Sequence, residues 1–267
     1  MQRVALITGA SSGIGRETAR ELTRRGWRVG VAGRNPERTH ATADALGAEA
    51  FVADFDSLEQ VRELASDALD RLRRIDVLLN NAGGIVDQRQ LSADGNELTL
   101  QRNVLGSVVL TEALLPELHE REGRIIHTSS IMHRVGSLDV DDLDYSRRSY
   151  RGGWAPYADA KLGVVMYSNS LIERSGIESF PVHPGYVASN FGPDTAFARS
   201  LMRLTRPLQI SVPAGAAPLV HLADTPELGV DNGTYFDGLN PFSTVHPVTK
   251  NAAQVQRYWE ELVSRVG

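Results

Sequence analysis

Tyr157-Ala158-Asp159-Ala160-Lys161 places a phenol and an ammonium four residues apart. In a helix that spacing sets both on one face. A free phenol has a pKa near about 10, too high for ready proton exchange at neutral pH, and a neighbouring ammonium lowers it by favouring the phenolate. Tyr-x-x-x-Lys alone is a weak motif that many surface helices match by chance. Its position carries the weight: Thr128-Ser129-Ser130 closes an apolar strand upstream, and Asn103 lies in the helical stretch before that strand. Tyr150 is close by but lacks a lysine four residues on.

A second group of residues could hold a dinucleotide. Thr8-Gly9-Ala10-Ser11-Ser12-Gly13-Ile14-Gly15 follows a short apolar run, Val4 to Thr8, and opens a helix with Ile14, Thr18 and Leu22 on one face. Gly9 would permit a tight exit from the strand, Gly13 a close backbone approach to a pyrophosphate, and Gly15 close packing of helix on sheet. The hydroxyls of Ser11 and Ser12 and the free N–H groups of the helix start would then face phosphate oxygens. Cofactor choice turns on the end of the second strand, where an acid would take a ribose hydroxyl and a cation a 2′-phosphate. Gly33-Arg34-Asn35 has no acid before Glu37, and the planar fork of Arg34 matches phosphate. NADP(H) is therefore favoured over NAD(H).

These groups need a scaffold that brings strand ends together. Strands are expected at Val4–Thr8, Trp27–Ala32, Glu49–Ala53, Ile75–Leu79 and Arg124–Thr128, with a short one ending near Pro184 and a last one at Gly233–Asp237. Helices alternate with them. Gly26 ends the first, Asn35-Pro36 caps the second, and Ser57 with Gln60 forms a capping box for the third. A long helical region spans Glu97 to Leu118, another follows Tyr157, and Asn251–Val266 closes the chain with Val255, Trp259, Leu262 and Val266 on one side. Repeated β-then-α implies an α/β, Rossmann-type doubly wound parallel sheet in a single domain covering 1–267. Residues 190–213 break the rhythm and read as a substrate-lid insertion, with Phe197, Leu201, Leu204 and Leu208 at helical spacing.

The Gly-x-x-x-Gly-x-Gly turn, with Asn80-Asn81-Ala82-Gly83 after the fourth strand, resembles the short-chain dehydrogenase/reductase family. The resemblance implies that Asn81, Ala82 and Gly83 hold the adenine side of the cofactor and that Asp54 contacts adenine. Asn103, Ser130, Tyr157 and Lys161 match the family's Asn–Ser–Tyr–Lys tetrad. Tyr157 would then be general acid in reduction and general base in oxidation, tuned by Lys161, which also holds the nicotinamide ribose. Ser130, rather than Ser129, would stabilise the reacting oxygen, and Asn103 would support a water-linked relay to Lys161. Pro184, Gly185, Val187 and Ser189 resemble the family's segment beside the nicotinamide, with Ser189 at the carboxamide. His183 reads as a structural strand-end residue.

Within the family, 27 positions separate Ser130 from Tyr157, more than in most members. That length, Ser129-Ser130-Ile131-Met132-His133, Asp141-Asp142-Leu143, Leu114-Leu115-Pro116 and Gly233-Thr234-Tyr235-Phe236 resemble the retinol dehydrogenase and WW-domain oxidoreductase branch. Two departures stand out. Arg102 precedes Asn103 where an apolar residue is usual, and Pro181 falls in an expected strand, where it would hinder pairing.

Composition narrows the classes. The chain has 267 residues, 42% of them hydrophobic, enough for one core, and a net charge of −5 without long blocks of one sign. No nucleic-acid partner is expected. No cysteine is present, so thiolate nucleophiles, disulfides and thiolate metal sites are excluded, and the seven histidines show no metal-ligand spacing. Met1 runs into a strand without the apolar stretch of a secretory signal, and no run reaches the roughly 18 residues of a membrane span. The expectation is a cytoplasmic enzyme acting on a small, lipophilic carbonyl or alcohol, with helix surfaces that would suit a homo-oligomer. Its cleft walls would be 131–156, 186–212 and 238–248. The rival reading is a catalytically silent nucleotide-sensing or interaction protein on the same fold.

Overall fold

The computed structural model describes residues 2–187 and 209–267. Short runs of apolar residues form seven strands: β1 Val4–Ile7, β2 Arg28–Gly33, β3 Glu49–Val52, β4 Val77–Asn80, β5 Arg124–Thr128, β6 Glu178–His183 and β7 Phe236–Asp237. They make one sheet in the order β3-β2-β1-β4-β5-β6-β7, and every adjacent pair runs parallel. β1 and β4 are buried along their whole length, as strands covered by helices on both faces must be. The order reverses between β1 and β4, so their carboxyl ends flank the crevice where open sheets bind ligands.

One face carries α1 Gly13–Arg24 and α2 Pro36–Leu46, joined by a later helix, α7 Val212–Asp224, that packs along α1. The other face carries α3 Leu58–Leu72, α4 Leu98–Leu100, α5 Gly106–Glu120, α6 Trp154–Ser175 and α8 Ala252–Val266. A separate apolar cluster fills each side, one around Leu78, Val108 and Leu162, the other around Ile7, Leu22 and Leu219. The sequence rules for helix ends hold in detail. Asn35 Oδ1 accepts from Arg38 N at 2.9 Å, and Gly26 has φ +87° just past α1. Among the described residues no helix is long and apolar enough to cross a membrane.

Four details differ from expectation. Ser57 accepts from Gln60 N at 3.3 Å, but Gln60 does not complete the capping box, because its Oε1 accepts from Asp54 N at 3.0 Å. The long helical region is interrupted by a π-turn, Gln101–Leu105, which carries Asn103. Pro181 does not block pairing: Val182 O accepts from Ser129 N at 2.7 Å on the β5 side. Alternation then turns the Pro181 nitrogen toward β7, whose pairing begins only at Val182, so no ladder bond is lost. Lastly, 212 and 213 belong to α7, capped by Ser211 Oγ accepting from Ala214 N at 3.3 Å, so the lid range ends too late. The rest of that proposed lid, with Phe197, Leu201, Leu204 and Leu208, and Ser189 just before it, lies outside the described residues. The segments on either side meet in a parallel bridge between Val187 and Ile210.

Candidate active site

The turns after β1 and β4 are joined by one threonine. Thr8 Oγ1 accepts from Asn81 N at 3.0 Å and Ala82 N at 2.9 Å, while Asn81 Nδ2 donates to Thr8 O at 3.0 Å. Gly9 sits in this junction at φ +64°, where a side chain would meet Ala82 backbone. Gly15 is needed for space rather than conformation: a Cβ there would lie 2.5 Å from Gly9 O and 2.6 Å from Asn81 Nδ2. Ser12 caps α1 in extended conformation, yet its side chain makes no capping bond, so the first N–H groups of α1 are left for another acceptor. That arrangement fits a dinucleotide phosphate: a cradle a side chain would fill, and unsatisfied donors at the positive end of a twelve-residue helix. Ser11 lies at the mouth, against Gly33 at the end of β2.

Three further residues gather on the β2–β3 side. Arg34 is exposed and reaches Asp56 Oδ2 at 3.8 Å. Asp54 is half-buried and its Oδ1 accepts from Asp56 N at 3.1 Å. Pro184 and Gly185 turn the chain out of β6, Gly185 with φ +98° against Ile210, and Val187 is buried.

On the other side of the crevice the tetrad assembles. α6 presents Tyr157 and Lys161, both buried, with the Lys161 Nζ 5.6 Å from the Tyr157 ring centroid. Lys161 Nζ donates to Thr128 O at 2.9 Å at the end of β5. Ser130 hydrogen-bonds toward the Tyr157 phenol and also accepts from Met132 N at 3.3 Å, capping a short 3₁₀ turn, Ile131–Val135. Ser129 is occupied elsewhere, donating to Lys161 O at 2.9 Å and so tying α6 to β5. Asn103 Nδ2 donates to Gly84 O at 2.8 Å and Thr99 O at 2.7 Å, and a Cβ on Gly83 would touch both Asn103 Oδ1 and Lys161 Nζ. Asn103, Gly83 and Lys161 are therefore packed into one corner.

The electrostatics differ from the expected tuning. Burial pushes the Tyr157 phenol well above the ordinary value, against a smaller lowering by Ser130. Burial alone brings the Lys161 ammonium down to about 7. The lysine points to a carbonyl rather than to the phenolic oxygen, so desolvation outweighs its attraction for a phenolate.

Of the other titratable side chains nearby, Tyr150 has a structural partner, whereas the His183 Nδ1 is buried with no hydrogen-bond partner among the described residues. Tyr150 donates to Glu97 Oε1 at 2.6 Å, and His183 ends β6 with its carbonyl accepting from Gly238 N at 2.8 Å. Sequence reasoning missed several supports. Thr8 and Thr128 act through long-range contacts that no local pattern shows. Asp159, between the tyrosine and lysine, is buried and accepts from Ser137 N at 2.7 Å, Tyr145 OH at 2.7 Å and Arg148 Nη1 at 2.8 Å, pinning the long 136–153 strap to α6. An acid on the inner part of an otherwise apolar helix was the available signal. His133 was also missed: its Nδ1 lies 2.7 Å from Ser130 O and so carries the hydrogen, and burial holds its pKa below the ordinary value.

A cavity of about 400 Å³ lies between the strap and α6, lined by Met132, Val135, Tyr145, Arg148, Trp154 and Asp159 among others, and none of Asn103, Ser130, Tyr157 and Lys161 lines it. Another, of about 630 Å³, lies at the amino ends of the strands around Arg74, Asp76 and Glu178, away from the crevice.

Comparison with known proteins decides the family. Residues 3–141 match the short chain dehydrogenase family. The chain belongs to the short-chain dehydrogenase/reductase family. Over 99% of its length it is 38% identical to a provisionally named daunorubicin C-13 ketoreductase of Streptomyces sp. (strain C5), covering 93% of that protein. Human retinol dehydrogenase 13 is 33% identical over 99% of this chain and 85% of its own. A crystal structure of an uncharacterised Mycobacterium paratuberculosis protein superposes with a TM-score of 0.78 at 28% identity, covering 99% of this chain and 93% of that one. This short-chain dehydrogenase/reductase thus lies near the retinol dehydrogenase branch and is an NAD(P)-dependent oxidoreductase.

Proposed function

We propose that this protein is an NADP(H)-dependent oxidoreductase that interconverts a lipophilic carbonyl compound and its alcohol, with Tyr157 as the proton-transferring group. The observation that carries the reading is the grouping of Ser130, Tyr157 and Lys161 at the carboxyl end of β5, Ser130 hydrogen-bonded toward the phenol and Lys161 held beside its ring, across the crevice from the glycine cradle. Gly9, Ser11, Ser12, Gly13, Ile14 and Gly15 would hold the pyrophosphate, Asp54, Asn81, Ala82 and Gly83 the adenosine side, and Arg34 the 2′-phosphate. Pro184, Gly185, Val187 and Ser189 would flank the nicotinamide. The bound dinucleotide would supply hydride in reduction and accept it in oxidation.

In reduction Tyr157 donates its proton to the carbonyl oxygen as negative charge develops there, and Ser130 donates a hydrogen bond to the same oxygen. Burial favours the protonated phenol, the form that this direction uses. In oxidation Tyr157 must act as phenolate, which a protonated Lys161 would support. A lysine brought to about 7 changes charge close to neutral pH, so the oxidation rate should rise with pH only while the ammonium persists. Asn103, packed beside Lys161, would support a water-linked proton relay to it.

The lipophilic substrate rests on the surface around the cleft. Most of the exposed large apolar side chains among the described residues fall in its three walls: Ile131, Val135, Trp154, Tyr186, Ile210, Leu239 and Phe242. Relatives named for retinol and for a C-13 ketone agree with chemistry at a carbonyl–alcohol pair. A silent nucleotide sensor would not need a desolvated lysine, which is a standing cost to folding. We place the protein in the cytoplasm. The test is a panel of lipophilic aldehydes, ketones and alcohols with NADPH, NADP⁺ and their unphosphorylated counterparts, followed by cofactor absorbance. Turnover with the phosphorylated pair is expected; no turnover of any carbonyl or alcohol would refute the reading.

A further inference from the structure

One carboxylate sits between two arginines where the ends of β2 and β3 meet the π-turn. Asp56 Oδ2 accepts from Arg102 Nη2 at 2.6 Å, and Asp56 Oδ1 pairs with Arg102 Nε. Arg34 Nη1 lies 3.8 Å from the same Oδ2. The two contacts differ in kind. The Arg102 pair is two-pronged and partly buried, with side-chain exposures of 24% and 27%, whereas the Arg34 side chain is 60% exposed and only loosely engaged. Arg102 is also the residue that breaks the family's apolar habit next to Asn103.

The shared oxygen fixes the geometry of the argument. Two guanidiniums that face one carboxylate oxygen can face one phosphate in the same way, because carboxylate and phosphate oxygens present matching acceptors to the arginine fork. A phosphate brought to Arg34 would thus come within reach of Arg102, and would meet Asp56 as a like charge in its place. We propose that Asp56 is a resident anion occupying the 2′-phosphate position and that Arg102 is a second phosphate-binding arginine. Selectivity for a 2′-phosphorylated nucleotide then depends on Arg34 and Arg102 together, working against Asp56. This rests on the NADP(H) reading above and adds its determinants.

Asp56 loses the contest only because a phosphate carries more charge than a carboxylate. Removing its charge at constant size should release both guanidiniums and strengthen binding of the phosphorylated ligand alone. The probes are 2′,5′-ADP (adenosine 2′,5′-bisphosphate) and AMP, which differ only in the 2′-phosphate and need no turnover. Their affinities are measured calorimetrically, at fixed salt, for the whole wild-type chain and for Arg34→Leu, Arg102→Leu and Asp56→Asn. Expected are preference of the wild type for 2′,5′-ADP, about tenfold weaker 2′,5′-ADP binding in each arginine variant, and several-fold tighter binding in Asp56→Asn. AMP affinity should move by less than about twofold throughout.

The failures separate. A wild type without preference for 2′,5′-ADP overturns the NADP(H) reading itself. A wild type with that preference, lost in Arg34→Leu but unmoved in Arg102→Leu and Asp56→Asn, overturns only the present inference. If Asp56 merely braces the loop, Asp56→Asn weakens both ligands alike, which also overturns it. Should Arg102→Leu fail to fold, Asp56→Asn decides alone: tighter 2′,5′-ADP binding supports the inference, and unchanged or weaker binding overturns it.

Discussion

Replacing Lys161 by methionine should make the protein more stable while disabling it. Lys161 is 4% exposed, its hydrogen bond goes to a neutral carbonyl, and among the described residues no acid offsets the burial of its ammonium. Its pKa falls from the ordinary 10.5 to about 7. At roughly 1.4 kcal/mol per unit, the folded state gives up about 4–5 kcal/mol at low pH for keeping an amine there. Methionine has similar length and no charge. It forfeits the bond to Thr128 O, a loss of about 1–2 kcal/mol, so the net gain near neutral pH should be about 2–4 kcal/mol. For a chain of this size that corresponds to a midpoint higher by roughly 5–10 °C. The pH dependence has a definite sign. Below about 10.5 the unfolded lysine takes a proton that the folded one refuses until about 7. Wild-type stability therefore rises with pH across that window, and the advantage of Lys161→Met shrinks toward its upper end. Below about 7 the difference is constant. Denaturation of both proteins from near-neutral to alkaline pH measures this directly. A methionine variant no more stable at neutral pH, or a gap that persists when the lysine is deprotonated in both states, would refute the reasoning.

Three other predictions concern binding and packing. Arg34→Ala should weaken NADPH binding by about one to two decades and leave NADH nearly unchanged, as read by titration of cofactor fluorescence; equal losses would count against a 2′-phosphate contact. Gly15→Ala should weaken both cofactors by about two decades, because its methyl group meets the Gly9 carbonyl and the Asn81 amide, and both belong to the turn that must hold the phosphates. Asp159→Ala should lower stability by about 2–3 kcal/mol by taking the acceptor from the Tyr145 hydroxyl and the Ser137 N–H, while Arg148 keeps its contacts with Asp142 and Ser137 O; Asp159→Asn should lose less, and chemical denaturation gives both values.

Which parts of the site can be seen in the sequence follows from the range of the forces that set them. The glycine turn, the Asn35 and Ser57 caps and the Tyr157–Lys161 pair are local: each needs a residue type at a fixed spacing, and the structure has them where the spacing puts them. The sheet order follows from alternation of buried strands with helices. Long-range contacts leave no such trace. Thr8 binds the backbone at 81 and 82, and Thr128 meets Lys161 across 33 positions. Asp56 meets Arg102 across 46, although the odd arginine was visible as a departure. Pro181 misled because a proline's effect depends on which side of the strand its nitrogen faces, which only the neighbouring strands decide. The tuning of Tyr157 misled for a related reason. Spacing tells that an ammonium is near, while burial, which reverses the shift, belongs to the assembled core.

The central claim is proton transfer by Tyr157, and Tyr157→Phe tests it most directly. The variant removes one oxygen and keeps the ring that packs edge-on at 6.4 Å from Trp154. Carbonyl reduction with NADPH is to be measured for wild type and variant, with 2′,5′-ADP affinity taken on the same samples to show an intact cofactor site. The account predicts unchanged affinity and a rate lower by roughly 10²–10⁴-fold, the range that positioned acid catalysis supplies. A folded variant that binds the nucleotide and reduces the carbonyl within a few-fold of wild type would contradict it.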